Sequence, residues 1–81
     1  MNIDTQFSIE ISSNLDYENM TTNILYQEKT VAILSEEEGL ENLKIEILPT
    51  FEGMPWCFYL NDFLRILQFA EKQLIQIQKS E

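Results

Sequence analysis

The feature that most constrains the fold is a helical period of apolar residues near the C-terminal end of the 81-residue chain. On the helical wheel, an arc of about 100° collects the apolar side chains Phe63, Ile66, Leu67, Ala70, Leu74 and Ile77. Asn61 is suited to cap such a helix, because its side chain can accept a hydrogen bond from the first turn, where Asp62 complements the helix dipole. The pattern predicts a helix of about five turns over residues 61–79, with one apolar stripe packed on another element.

Upstream of this helix, apolar residues alternate with polar ones, which is the two-residue period of half-buried strands. The alternation predicts strands over residues 7–12 and 43–47. Residues 21–27 and 30–35 are rich in β-branched residues and predict an antiparallel hairpin, because only a short polar break separates them. Residues 56–60 could add a short fifth strand. The strand residues predicted to face the core are Phe7, Ile9, Ile11, Leu43, Ile45 and Ile47.

Four or five antiparallel strands followed by one long helix predict an α+β fold, formed as a single domain over residues 1–81, with the helix packed on one face of the sheet. The other face should be partly solvated, which suits Ser8, Glu10, Ser12, Lys44 and Glu46. Trp56, Phe58, Phe63 and Phe7 are expected in the core. Cys57, which stands between two of these aromatic residues, is expected to be a packed core thiol.

The net charge of −9 comes from 14 acids against five basic residues, and the chain contains no histidine. All of the excess lies in residues 1–52, which hold 11 acids and two lysines, whereas residues 53–81 hold three of each sign. Nucleic acids and anionic membranes are polyanions, so this charge argues against either as a direct partner and favours a basic protein surface. For any single acid, solubility is the simpler explanation.

Two connections between strands concentrate the acids, and one further acid lies in the hairpin turn. A tyrosine between two acids is suited to a binding tip, because aromatic anchors dominate interface energies, although it could equally pack back on the core. Phe69 falls on the polar side of the predicted helix, either as a lone exposed aromatic residue or as a self-association contact. The residues predicted to contact a partner are Asp16, Tyr17, Glu18, Glu28, Glu36, Glu37, Glu38 and Glu41.

We expect neither catalysis nor a bound cofactor. No histidine is present to activate a serine or the single Cys57, and one cysteine without histidine leaves no zinc-binding spacing. The acids of residues 36–41 could bind a hard cation through their oxygens, but their spacing does not match an EF-hand loop. The sequence therefore predicts a protein without enzymatic activity, metal or cofactor.

The single cysteine cannot form an internal disulfide, which fits a reducing cytoplasm. The N-terminal residues lack the basic and apolar regions of a signal peptide. No stretch approaches the roughly 20 apolar residues of a membrane span. We therefore expect a cytoplasmic protein that does not contact a membrane.

Two stretches resemble a pattern in small uncharacterised proteins of bacteria and phages. They are residues 13–20, SNLDYENM, and residues 33–39, ILSEEEG, the latter followed by ENLKIE at residues 41–46. The resemblance covers about residues 7–48 and implies a small, acidic α+β protein. In size and charge the chain is similar to two classes of inhibitor. These are immunity proteins that neutralise nuclease toxins, and phage anti-CRISPR or anti-restriction proteins that imitate nucleic acid.

These features predict a small acidic inhibitor that binds the basic, nucleic-acid-binding surface of a partner such as a CRISPR effector or a nuclease toxin. Its carboxylates would pair with the Lys and Arg side chains that otherwise hold phosphates, and charge-assisted bonds favour Arg. The alternative is a structural or assembly module that forms a homodimer through its helix or a sheet edge.

Overall fold

The structure is a computed structural model that describes residues 6–13, 19–50 and 53–79, with the side chains of the last segment described as far as Ile77. Neighbouring strands pair antiparallel in their order along the chain, so the first and the fourth strand form the two edges of the sheet. The helix packs on one face, which confirms the predicted α+β arrangement. The elements are β1 (Phe7–Ser12), β2 (Thr21–Tyr26), β3 (Lys29–Ser35), β4 (Lys44–Ile47) and α1 (Leu60–Lys79).

The helix α1 begins one residue before the predicted cap. The backbone N–H of Phe63 donates to the carbonyl oxygen of Tyr59 at 3.1 Å, so Tyr59 is the residue that flanks the first turn. Asn61 therefore lies inside the first turn rather than at the cap, and Asp62 lies there as predicted. Within the described part of the chain, no helix combines the length and the apolar character that crossing a membrane requires.

The segment before α1 does not form the fifth strand that the sequence left open, and the described sheet has four strands. Trp56 instead donates its indole N–H to the carbonyl oxygen of Leu48 at 2.8 Å, and Trp56 and Phe58 pack against the core. Cys57 is exposed between them, so the prediction of a buried thiol was wrong. The two aromatic side chains attach the segment to the core, and the residue between them is left on the solvent side.

An aromatic cluster joins this segment to both the sheet and the helix. The ring centroid of Phe7 on β1 lies 4.8 Å from that of Tyr26 on β2 and 4.9 Å from that of Phe58. Phe58 lies 5.5 Å from Phe63 of α1 and 5.6 Å from Trp56. These separations are typical of favourable ring contacts. The predicted core aromatic residues are thereby confirmed, and they attach the start of α1 to the end of the sheet that carries the β2–β3 turn.

The β2–β3 hairpin closes with a two-residue turn formed by Gln27 and Glu28. Their φ angles are 51° and 68°, and two successive positive φ values are the pattern of a type I′ turn. This turn matches the twist of the flanking strands. Neither residue is a glycine, so each has the steric clash that a Cβ atom meets in the left-handed region. The predicted hairpin is confirmed, with a turn whose residues fit it poorly.

Burial on the face that carries α1 decreases from the middle of the sheet to its edges. Two rows of cross-strand partners cross this face: Ile9, Ile24, Ala32 and Ile47 in one, and Ile11, Thr22, Leu34 and Ile45 in the other. In both rows the residues on β2 and β3 are buried, whereas Ile9 is half-buried and the other three edge isoleucines are exposed.

The position of α1 explains this gradient. Its Cα atoms approach those of β1, β2 and β3 within 8 Å, most extensively β2, but for these described elements none comes that close to β4. Ile11, Ile45 and Ile47 lie on the predicted face, yet the expectation that they would face into a covered core was wrong. The helix is placed over the centre of the sheet and does not reach either edge fully.

The opposite face of the sheet is solvated at its edges, as predicted. Ser8, Glu10, Lys44 and Glu46 are exposed, and Ser12 is half-buried. Between the edges this face is less exposed: Thr21, Asn23 and Ser35 are buried, and Leu25 and Ile33 are half-buried. Within it the Thr21 hydroxyl donates to Asn23 Oδ1 at 3.0 Å.

Candidate partner-binding surface

Residues 36–42, which make up most of the connection between β3 and β4, are called the acidic loop here, and they form two consecutive turns. The N–H of Gly39 donates to the carbonyl oxygen of Glu36 at 2.9 Å, and the N–H of Asn42 donates to that of Gly39 at 3.0 Å. Gly39 has a φ of 95°, which glycine adopts without a Cβ clash. These features shape the loop at the end of the sheet where β1 ends and β2 begins.

Glu36 anchors this loop. It is only 9% exposed, and its Oε1 accepts a hydrogen bond from Nδ2 of Asn19 at 2.5 Å. The same Asn19 amide donates to Oε2 of Glu37 at 3.2 Å. Since Asn19 stands just before β2, these bonds attach the β1–β2 connection to the acidic loop. The carboxylate of Glu36 is engaged inside the protein, so a partner would meet its neighbours first.

The other predicted contacts of the acidic loop, Glu37, Glu38 and Glu41, are exposed. Lys44 at the start of β4 forms an ion pair with Glu38, and both side chains are more than half exposed. A surface pair of this kind contributes little to stability. One cation therefore stands beside the exposed carboxylates of the loop, and the local charge stays negative.

One predicted contact, Glu28, lies away from this surface. Glu28 lies in the β2–β3 turn, at the opposite end of strands that span about 20 Å. Asp16, Tyr17 and Glu18 lie outside the described residues. Phe69 is exposed on α1, as the helical wheel predicted.

The sequence reasoning missed an open apolar groove between α1 and β4, called the β4 groove below. It comprises two hollows of about 250 and 270 Å³, one at Ile45 and Leu67 and the other at Ile47 and Phe63. They share no lining residue, but they follow one another along β4 and α1. The apolar lining comes from Val31, Leu34, Leu43, Ile45 and Ile47 on the sheet side, from Leu60, Phe63 and Leu67 on α1, and from Trp56 and Phe58 before α1. A signal was present in the predicted architecture, because one helix about 10–12 Å wide cannot cover four strands that are about 4.8 Å apart.

A further cleft of about 400 Å³ lies at the end of the sheet with the β2–β3 turn. Tyr26, Lys29, Pro49 and Trp56 line it, together with the exposed Cys57. Its lining includes the thiol of Cys57 and the side-chain amine of Lys29. Over the described ranges, no group of three or more His, Cys, Asp or Glu side chains is placed to hold a metal ion.

Comparisons of the chain with protein-family models, with curated proteins and with solved structures found no match. The resemblance to small bacterial and phage proteins therefore stays a prediction. The function has to follow from the chemistry of the acidic loop and the β4 groove.

Proposed function

We propose that this chain is a non-enzymatic inhibitor whose acidic loop occupies the basic, nucleic-acid-binding surface of a partner, such as a CRISPR effector or a nuclease toxin. The observation that supports this most directly is the hydrogen bonding that connects the loop to itself and to Asn19. Glu37, Glu38 and Glu41 are exposed on a segment that the turns at Gly39 and the buried Glu36 hold in place. A loop that is ordered before binding loses less conformational entropy when it binds.

The distribution of charge also supports a binding surface on the strand half of the chain. The excess of negative charge belongs to residues 1–52, whereas in α1 the acids Asp62 and Glu71 are offset by Arg65, Lys72 and Lys79. A field concentrated on one part of a molecule steers a basic partner toward that part and raises the association rate at low salt.

The proposed mechanism is competition for cationic side chains. Carboxylates of the acidic loop would pair with Arg and Lys groups that otherwise hold phosphates. A typical interface takes about 800 Å² from each partner. That is a small share of the 6003 Å² that the chain exposes, so the loop and its surroundings could supply it.

Two charge-matched triple variants test the proposal. Glu37→Gln, Glu38→Gln and Glu41→Gln neutralise the acidic loop, whereas Glu10→Gln, Glu28→Gln and Glu46→Gln remove the same charge elsewhere. Each protein is immobilised and used to capture proteins from a lysate of the source organism at several salt concentrations. We expect a basic nucleic-acid-binding protein that the wild type and the control triple retain and the loop triple loses. Equal capture by both triples would contradict a role of the loop.

The alternative function, self-association, has one observation in its favour, which is the exposed apolar surface at Phe69 and along β4. Two observations oppose it. Each copy carries a charge of −9, so two copies repel each other. The solvent-facing side of α1 also carries polar residues such as Gln68, Lys72 and Gln76, which a second copy would have to bury.

A further inference from the structure

The β4 groove exposes apolar side chains beside the core. Ile45 and Ile47 of β4 are 44% and 61% exposed, and Leu60 of α1, which lines the same groove, is also exposed. On the helical wheel, Leu60, Leu64 and Leu67 fall on one flank of α1, and lining residues of the groove place that flank toward β4. The sheet forms the floor and α1 one wall of the groove, and Trp56 and Phe58 border its hollow at Ile47. The side over the exposed Ile45 and Ile47 is open.

The part of the sheet face that α1 leaves uncovered is about as wide as one helix. Most of the contact between α1 and the sheet is with β2, and β4 lies two strand spacings, or about 10 Å, from β2. A helix with its side chains is about 10–12 Å across. A second helix beside α1 would cover Ile45 and Ile47 as α1 covers Ala32 and Leu34.

The charge around the groove indicates what kind of helix fits. The hollow at Ile45 is bordered by Glu71 of α1. The acidic loop, with Glu38 and Glu41, comes just before β4 along the chain. Lys44 is the cation at this border, and it is paired with Glu38. A groove with an apolar floor and carboxylates near one end is complementary to an amphipathic helix with basic residues at one end.

We propose that the β4 groove binds an amphipathic, basic α-helix of a protein partner, with its apolar face on Ile45 and Ile47 and its cationic end at the acidic loop. This inference rests on the proposed function, because that function is what makes the partner basic. A second copy of this chain is a poor occupant, since its own helix is polar on the side it would present and its charge has the same sign.

The probe is a fluorescent peptide of about 18 residues built from Leu, Ala and Lys, which spans about 27 Å as a helix. Its leucines form one stripe and its lysines cluster at one end. A peptide of the same composition in scrambled order carries the same charge without the stripe. Fluorescence anisotropy measures the Kd of both peptides for the full chain.

Two isoleucines in the same cross-strand row offer a matched pair of variants. Ile45 on β4 is 44% exposed in the groove, and Ile11 on β1 is 43% exposed at the other edge of the sheet. Ile45→Glu should weaken binding of the striped peptide about tenfold or more, and Ile11→Glu less than about twofold. Both variants add the same charge, and circular dichroism with denaturant unfolding confirms that each is folded.

The outcomes separate this inference from the function on which it rests. Loss of affinity in both Ile45→Glu and the acidic-loop triple supports both proposals. If only the loop triple weakens binding, or if the scrambled peptide binds as well as the striped one, the groove inference is overturned and the basic-partner proposal stands. If Ile45→Glu weakens binding and the loop triple leaves both the affinity and its salt dependence unchanged, the groove is supported and the acidic loop is excluded.

Discussion

Ile47 lies directly opposite Ala32 across the β3–β4 pairing, yet Ala32 is fully buried and Ile47 is 61% exposed. The two residues share one face of the sheet and are about 5 Å apart between strands. The helix α1 therefore covers this face as far as β3 and leaves β4 uncovered. This boundary between β3 and β4 defines the β4 groove, and we expect the stability of the protein to depend less on the apolar residues of β4 than on those of β2 and β3.

The first prediction compares two isoleucines in one cross-strand row. Ile24→Ala should lower the free energy of unfolding by about 2–5 kcal/mol, because it removes buried methyl groups and leaves a cavity under α1. Ile47→Ala should cost only about 1 kcal/mol or less, since little more than strand propensity is lost at an exposed site. Urea unfolding measures both values. Similar losses for the two variants would mean that β4 is covered in solution.

The second prediction concerns the β2–β3 turn. Replacing Gln27 and Glu28 by Asn and Gly should raise the free energy of unfolding by about 1 kcal/mol, because Asn-Gly adopts the left-handed conformations of a type I′ turn more readily.

The control for the turn is Glu41→Gly, which removes one acid at an exposed loop residue without a positive φ. It should lower stability by a few tenths of a kcal/mol up to about 1 kcal/mol, because glycine gains entropy in the unfolded chain. Stabilisation by both variants would point to relief of charge repulsion rather than to the turn.

The third prediction concerns Thr22, whose hydroxyl is buried without a hydrogen-bond partner among the described residues. Valine has the same shape and no hydroxyl, so Thr22→Val should raise the free energy of unfolding by about 1 kcal/mol. Thr21 is equally buried, but its hydroxyl is bonded to Asn23, so Thr21→Val should lower stability by about 1 kcal/mol. Thermal or urea unfolding measures the change in the free energy of unfolding for both variants. Destabilisation by Thr22→Val would show that its hydroxyl has a partner in solution.

The fourth prediction concerns assembly. The charge of −9 and the polar outer side of α1 should keep the chain monomeric at about 100 µM and low salt. Sedimentation equilibrium measures the mass directly. A dimer that persists at low salt and dissociates in Phe69→Ala would favour the self-association alternative, and a dimer lost in Ile45→Glu would place the second copy on the β4 groove.

The sequence predicted the elements well where one local pattern dominated. The strand β1, with Phe7, and the helix α1, with Leu74, formed as expected, because spacing along the chain decides which residues share a face. It failed at Cys57, because the exposure of that residue depends on its two aromatic neighbours. Phe58 packs against rings of β1, β2 and α1, and Trp56 packs against Phe58. For the candidate site, sequence reasoning found the acidic loop but could not tell which of its acids are exposed.

By itself, then, the sequence determined the α+β order, the helix and hairpin, and the concentration of acids in residues 1–52, since composition and periodicity are properties of the chain. Only the tertiary structure decided which of the adjacent acids is buried, because the partner of Glu36 is Asn19, 17 residues earlier. It also decided that Ile45 and Ile47 stay open. Their face follows from the alternation of β4, but their exposure follows from the placement of a single helix that is too narrow to cover four strands.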